Sequence, residues 1–380
     1  SKKKNKGKLI WFHGASVGEI QSIIPLLERF EKNKEIRQIL VTSNTVSSSF
    51  IIKNLKFKKT IHQFFPIDCN FISKKFLNYW KPTKAFFIDS EIWPITINNL
   101  YKRNIPIFLL NGRITNKSFR RWKFFSYFAK SIFGKFYLCL SSNTETKKYL
   151  KKLGAKNIKF IGNLKFSQSE NEKTNLNKDL INLINSRKAW CASSTHYNEE
   201  ELCGMAHIRL KKRFKNILTI IIPRHINRID SIKAELQNLD LKIHLDEPKK
   251  KISPDTDIYL VNSYGKTKLF YKVCKNIFLG GSLIEHGGQN PLEATRYGCK
   301  VLHGPNVSNF REIYKFLNKK KLSKKISNQD QLINCVIKYI NSKNNSKKII
   351  KDLHLIGMNI LNKTYKEIKK LILKNQNFGI

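Results

Sequence analysis

The stretch Trp11-Phe12-His13-Gly14-Ala15-Ser16-Val17-Gly18-Glu19-Ile20 runs an apolar segment into two glycines and delivers a carboxylate at the start of a helical pattern. A strand over Leu9 to His13, a turn at Gly14 and an amphipathic helix over Ile20 to Glu31 make the opening of a β-α unit. Glu19 then emerges at the carboxyl end of a strand, where open parallel sheets bind their ligands.

The same alternation continues outward from this unit. Strands are expected at Gln38 to Thr42, Ile61 to Phe65, Ala85 to Asp89, Ile105 to Leu110, Phe136 to Leu140 and Ile158 to Ile161, with a helix over Thr144 to Leu153 closed by Gly154. A polar, Asn-rich interval from Ser167 to Arg187, with room for a short amphipathic helix over Leu180 to Ile184, interrupts the rhythm. It resumes with strands at Ala189 to Ala192, Ile217 to Ile222, Leu241 to His244, Ile258 to Val261, Ile277 to Leu279 and Lys300 to Leu302. Short apolar runs separated by amphipathic ones indicate parallel sheets covered on both faces, an α/β fold in two domains. The expected division is a first domain over 1–166, a linker over 167–187, a second domain over 188–325 and C-terminal helices over 326–380. Those helices, Leu332 to Ile340 and Lys347 to Asn375, have the position to cross back and brace the first domain.

Composition supports a folded body. Of 380 residues, 41% are hydrophobic, enough for two ordinary cores and too many for a disordered chain. Lys and Arg number 72 against 27 Asp and Glu, so the formal net charge is +45 and the partners are expected to be anionic. The lysines are scattered, and no zinc-finger spacing or paired aromatic RNA-binding motif accompanies them, which disfavours nucleic acid. An anionic membrane surface or a phosphorylated lipid uses the same field. The 7 cysteines are widely spaced, which fits a reduced setting rather than a disulfide framework or metal knuckle. No run reaches the roughly 18 to 20 apolar residues of a membrane span. The chain opens at Ser1 and enters its first strand almost at once, so a preceding N-terminal segment is expected.

The distinctive residues gather at strand exits. Glu19 is placed to take a proton from an incoming hydroxyl, or more simply to sit on a helix dipole. Phe87-Ile88-Asp89-Ser90-Glu91-Ile92-Trp93-Pro94 carries an apolar strand into acidic residues before a proline that opens a helix, with Ser90 as a candidate cap. Glu19 and Glu91 then share one edge of one sheet, as a base and a second carboxylate. Asn111-Gly112-Arg113 and Gly162-Asn163-Leu164-Lys165 are further exits whose Arg113 and Lys165 suit a phosphate or carboxylate.

In the second half, Pro223-Arg224-His225 follows a fully apolar strand, and Ser193-Ser194-Thr195-His196 occupies the neighbouring exit, where Thr195 or Asn198 could equally cap the helix beginning at Glu199. Gly280-Gly281-Ser282 through Gly287-Gly288-Gln289-Asn290-Pro291-Leu292-Glu293 joins a strand to a helix. Its glycines let the backbone approach a ligand and leave N–H groups free for phosphate oxygens, and Glu293 suits the two hydroxyls of a ribose. The G-x-G-x-x-G spacing of a dinucleotide fingerprint is missing. Taken together, these segments indicate an enzyme that handles a sugar nucleotide.

As a set they resemble the 3-deoxy-D-manno-octulosonic acid (Kdo) transferases of Gram-negative lipopolysaccharide synthesis. The matching stretches are WFHGASVGE at 11–19, FIDSEIWP at 87–94, LLNGR at 109–113, GNLKF at 162–166, ASSTH at 192–196, PRH at 223–225 and GGQNPLEA at 287–294. The resemblance implies a GT-B glycosyltransferase fold, two Rossmann-like domains facing a central cleft. It implies CMP-Kdo as donor substrate, no cofactor, no metal, and a bisphosphorylated lipid A precursor as acceptor, at the cytoplasmic face of the inner membrane, with the membrane-anchoring N-terminal stretch of the family missing here.

By the same resemblance Glu19 is the proton acceptor, and Glu91 and Lys165 stabilise the transition state. Pro223 and Arg224, the stretch Tyr264-Gly265-Lys266, and Gly288 with Asn290-Pro291-Leu292-Glu293 form the CMP site, to which Ser194 and Thr195 add hydroxyls. The family pattern D-[S/T]-x-G-E-L reads here Asn262-Ser263-Tyr264-Gly265-Lys266-Thr267, with Asn and Lys at two acidic positions, and Gln289 stands where histidine is common. The implied reaction is a single inverting displacement that releases CMP, with at least two Kdo additions. The competing readings are another nucleotide-sugar transferase or epimerase on this scaffold, and a binding protein for anionic lipid or nucleic acid.

Overall fold

The computed structural model describes residues 8–168, 175–247, 252–343 and 345–373. The chain forms two compact units, one of Ser1–Gln168 with Leu355–Ile380 and one of Ser169–His354.

The first unit alternates strand and helix: β1 (Leu9–His13), α1 (Val17–Glu31), β2 (Gln38–Ser43), α2 (Val46–Asn54), β3 (Thr60–Phe64), α3 (Asn70–Trp80), β4 (Lys84–Ile88) and α4 (Pro94–Tyr101). It continues with β5 (Ile107–Gly112), α5 (Asn116–Phe124), α6 (Ser126–Phe133), β6 (Phe136–Ser141), α7 (Thr144–Lys152) and β7 (Ile158–Phe160). The second unit runs α8 (Lys178–Ser186), β8 (Lys188–Thr195), α9 (Glu199–Arg213), β9 (Ile217–Pro223), α10 (Ile229–Gln237), β10 (Ile243–Leu245) and β11 (Ile258–Leu260). There follow α11 (Thr267–Val273), β12 (Asn276–Leu279), α12 (Pro291–Arg296), β13 (Lys300–His303), α13 (Arg311–Lys319), β14 (Ser323–Lys325), α14 (Gln329–Asn341) and α15 (Ser346–Leu373).

Each unit holds one parallel sheet of 7 strands, ordered β3-β2-β1-β4-β5-β6-β7 and β10-β11-β9-β8-β12-β13-β14. In both, the order reverses beside the first strand of the unit, β1 or β8. There neighbouring loops leave in opposite directions and open a crevice at the carboxyl edge. The central strands are buried along their whole length because helices cover both faces, which is why they read as unbroken apolar runs.

On one face of the first sheet, Ile10, Phe12, Phe86 and Phe108 pack against α1 and against Ile360, Leu361, Ile368 and Ile372 of α15. Trp11, Phe87 and Leu109 pack the other face against α3, α4, α6 and α7. Ser16, Thr45, Thr115 and Asn143 cap α1, α2, α5 and α7 through side-chain oxygens.

The bounds of the two units differ from those expected, and one strand is added. The Asn-rich interval is not linker throughout: α8 lies in it and buries Leu180 and Ile184 on the second sheet, so it belongs to the second unit. The tail divides within α15, since α14 packs on the second sheet while the residues from Leu355 belong to the first unit. β14 was not anticipated because Ser-Lys-Lys carries no apolar signal and pairs only at the sheet edge. The expected end of the last helix at Asn375 lies outside the described residues.

Candidate functional site

At the carboxyl edge of the first sheet, β1 pairs with β4, so the turn after His13 and the segment after Ile88 leave side by side. Gly14 lets this turn pack closely: a Cβ would stand 3.2 Å from the Glu19 Cβ and 3.3 Å from Ile20 and Ile88 side chains, which would have to give way slightly. Ser16 caps α1 by accepting from the Glu19 N–H, and the Glu19 carboxylate turns back to accept from the Ala15 N–H at 2.7 Å. Burial raises the Glu19 pKa to about 7, helped by the charges of Glu91 and Asp89 and opposed by the bonds from Ala15 and Ser16. A carboxyl poised near neutrality is suited to general base work.

Glu91 is held by a chain of donors. His13 Nε2 lies 3.2 Å from Glu91 Oε2, and the Trp93 indole N–H donates to the same oxygen at 2.8 Å. Since a carboxylate only accepts, Nε2 carries the His13 proton, and burial holds the ring neutral by lowering its pKa. Nδ1 then accepts from the Thr42 hydroxyl at 3.0 Å, and that hydroxyl accepts from the Trp11 indole at 2.9 Å. Phe65 stacks on the His13 ring with centroids 3.8 Å apart, which keeps water from it.

Asp89 sits between these groups and the cations. It is 4% exposed, its backbone has φ +59°, and its Oδ2 lies 3.6 Å from Lys165 Nζ. Lys165 is brought there by a one-turn 3-10 helix, Leu164–Ser167, whose entry is fixed twice: Asn111 Oδ1 accepts from the Leu164 N–H at 2.8 Å and Asn163 Oδ1 from the Lys165 N–H at 2.9 Å. Burial raises the Asp89 pKa, and the positive charges of Lys165 and Arg113 oppose that rise and favour its ionised form. Glu19, Glu91, Lys165 and Arg113 thus converge with Asp89 and His13. Ser90 does not cap α4, because Asp68 takes the Ile95 and Thr96 N–H groups at 3.1 and 2.8 Å.

In the second unit, the exits of β11, β9, β8 and β12 stand in sheet order. Ser194 adopts φ +56°, Thr195 is buried, and the Thr195 carbonyl accepts from the Arg224 N–H at 2.9 Å, leaving the Arg224 side chain exposed beyond Pro223. Asn290 caps α12 through the Leu292 N–H at 3.1 Å, Pro291 takes the first helical position, and Glu293 is half-buried in the first turn. Gly288 has φ +74°. Tyr264 is exposed and Gly265, at φ +85°, has open space on its Cβ side.

One expectation about this half is corrected, and Lys266 has a protein partner. The N–H groups at the first glycines are not free for phosphate: the buried Glu199 carboxylate accepts from Gly281 at 2.6 Å, Ser282 at 3.2 Å, Leu283 at 3.0 Å and His196 at 3.0 Å. The residue that was read as the opening of a capped helix is itself the anion of the loop, and Asn198, the residue before α9, makes no side-chain cap. Burial raises the Glu199 pKa against the pull of those four donors. Lys266, expected at the nucleotide, reaches Asp246 Oδ2 at 2.7 Å, while Asp246 Oδ1 accepts from the Tyr259 hydroxyl at 2.8 Å. Asp246 and the role of Glu199 are not legible in the sequence because Lys266 lies 20 residues from the one and Gly281 lies 82 residues from the other.

The chain is similar to known proteins across both units. A family model described as 3-Deoxy-D-manno-octulosonic-acid transferase (kdotransferase) matches residues 1–168. The 3-deoxy-D-manno-octulosonic acid transferase of Rickettsia prowazekii is 34% identical over 338 residues, 86% of this chain and 70% of that protein. The protein of the same description from Haemophilus influenzae is 27% identical over 81% of this chain and 73% of its own length. Among solved structures, UDP-GlcNAc 2-epimerase from Neisseria meningitidis aligns with a TM-score of 0.63 over 97% of this chain and 100% of that chain, at 12% identity. That likeness is one of fold alone, the GT-B fold of paired Rossmann-like domains.

Proposed function

The chain belongs to the 3-deoxy-D-manno-octulosonic acid transferase family, and we propose that it moves Kdo from CMP-Kdo to a bisphosphorylated lipid A precursor. The observation that carries the reading is the Glu19 carboxylate, half-buried at the carboxyl edge of a parallel sheet, where burial and the charges of Glu91 and Asp89 raise its pKa to about 7.

Glu19 takes the proton of an acceptor hydroxyl while that oxygen attacks the anomeric carbon of Kdo and the bond to the CMP phosphate breaks. The electron pair leaves with CMP, and a single displacement inverts the centre. Glu91, fixed by His13 and Trp93, and Lys165, fixed by Asp89, hold the charge that develops. Arg224 and the start of α12 at Asn290 to Glu293 take the donor, with Ser194, Thr195 and Gly265 alongside. No metal enters this scheme, because cationic side chains balance the departing phosphate.

The acceptor reading has its own support. Across α5 and α6, Phe124, Phe125, Tyr127 and Phe128 are exposed by 83%, 64%, 90% and 48%, and Lys117, Arg120, Arg121, Lys123 and Lys130 are exposed around them. Aromatic side chains among cations fit the headgroup and acyl boundary of an anionic membrane. This surface supports work at the cytoplasmic face of the inner membrane; the addition of at least two Kdo units rests on the family resemblance alone.

The test is incubation with CMP-Kdo and the tetra-acylated disaccharide bisphosphate, with product masses followed in time, in the presence and absence of EDTA. Lipid heavier by one and then two Kdo units, with CMP released and no effect of EDTA, is expected. A single addition that never advances removes the multiple transfer, loss with EDTA removes metal independence, and no Kdo-lipid at all overturns the assignment.

A further inference from the structure

Asp89 bears two costs at once. A non-glycine residue at φ +59° is strained by roughly 1–3 kcal/mol, and its Oδ1 is buried without a hydrogen-bond partner in the protein. The conformation is enforced by the backbone, since the Asp89 N–H donates to Leu110 O at 2.9 Å and the Asp89 carbonyl accepts from the Arg113 N–H at 3.0 Å. Strain and an unspent carboxylate oxygen at one residue, on the edge that carries Glu19, call for a functional reason rather than a packing one.

We infer that Asp89 is a positioning residue of the transfer reaction: its Oδ2 holds Lys165 at the sheet edge, and its buried carboxylate adds negative charge to the surroundings of Glu19. The inference rests on the reading of Glu19 as base and Lys165 as stabiliser. With the ammonium 3.6 Å away and both side chains nearly buried, Lys165 is restrained without being fully neutralised. The charges around Glu19 are Glu91 and Asp89 from the β4 exit. Those around Asp89 are Lys165 from the 3-10 turn, Arg113 from the β5 exit and Glu91, which His13 of β1 faces in turn. Asp89 therefore links the Lys165 and Arg113 charges, which act on it, to the base on which its own charge acts. A proton is harder to remove from Glu19 beside Asp89, and the ionised base is correspondingly stronger.

Asp89→Asn is the informative substitution, since asparagine tolerates the left-handed backbone and keeps the shape. With Kdo transfer as assay, it is expected to lower kcat about tenfold or more with donor KM little changed, and to move the acid limb of kcat/KM to lower pH. Lys165→Gln is expected to move that limb the opposite way, because the Asp89 charge is then unscreened. In the double variant the two losses should be far from additive. Thermal unfolding of each variant reports whether it is folded. An unmoved acid limb in folded Asp89→Asn, or additive losses, overturns the inference; if Asp89→Asn does not fold, an unmoved limb in Lys165→Gln does so instead. A parent protein without Kdo transfer, or a Glu19→Gln variant with normal turnover, would bring down the catalytic reading itself. An active parent and a dead Glu19→Gln beside an unaffected Asp89→Asn remove the positioning role alone.

Discussion

Glu19 couples catalysis to stability. A carboxyl whose folded pKa is raised from 4.5 to about 7 binds its proton more tightly folded than unfolded. Its contribution to stability is therefore complete below the unfolded pKa and is lost as pH rises through the folded value. Glu19→Gln keeps the shape, removes that loss and removes the base. Turnover should fall about 10²- to 10⁴-fold, while the melting temperature rises at pH 8 and changes little at pH 4; calorimetry at the two pH values beside single-turnover rates checks both. Lys266 poses the opposite case, because its ammonium satisfies Asp246. Lys266→Glu restores the residue common in the family yet places two carboxylates together, so it should melt earlier and bind donor no better. Isothermal titration with CMP reads this, and a gain in affinity would contradict the pairing.

The element that carries Lys165 is short and borrows its rigidity. The 3-10 turn Leu164–Ser167 packs against α15, where Gly357 lies so close that a Cβ would stand 2.3 Å from the Phe166 carbonyl oxygen. Backbone cannot give way as a flexible side chain can. Gly357→Ala should consequently destabilise the first unit by roughly 1–3 kcal/mol and lower kcat by displacing Lys165, although it touches no substrate. Denaturant midpoints and kcat measured on the same preparations would show whether the two losses travel together. In the second unit the corresponding device is Glu199, one carboxylate that gathers four backbone N–H groups from the β8 and β12 exits. The loop is thereby shaped before any ligand arrives.

At the scale of the whole molecule, the net charge of +45 and the exposed aromatics of α5 and α6 act together. No described helix is long and apolar enough to cross a membrane. Binding to vesicles containing anionic lipid should fall as salt rises through the range where the Debye length shrinks from about 10 Å to 3 Å. Phe124→Ser with Tyr127→Ser should weaken the salt-resistant part, and neutralising Arg120 and Arg121 should weaken the salt-sensitive part. Co-sedimentation at several salt concentrations separates them; equal binding of the aromatic variant at high salt would argue against insertion.

The alternation of apolar and amphipathic segments was enough to read two parallel α/β sheets, because strands covered on both faces must be apolar throughout and helices covered on one face must be periodic. Glu19, Glu91 and Lys165 were legible for a related reason: each follows a strand, and a strand exit on a parallel sheet faces the same edge whatever the rest of the chain does. The partners of these residues were not legible. The His13, Thr42 and Trp11 relay depends on β1 lying between β2 and β4, and Asp89 gains its meaning only from the register that brings Lys165 within 3.6 Å. The Gly281 loop shows the limit most clearly, since its local pattern promised free N–H groups and a carboxylate 82 residues away occupies them. Local sequence determines which groups reach the edge of a sheet; strand order and helix packing decide which charges meet there, because an electrostatic interaction depends on distance through space and on burial, and neither is written in the spacing along the chain.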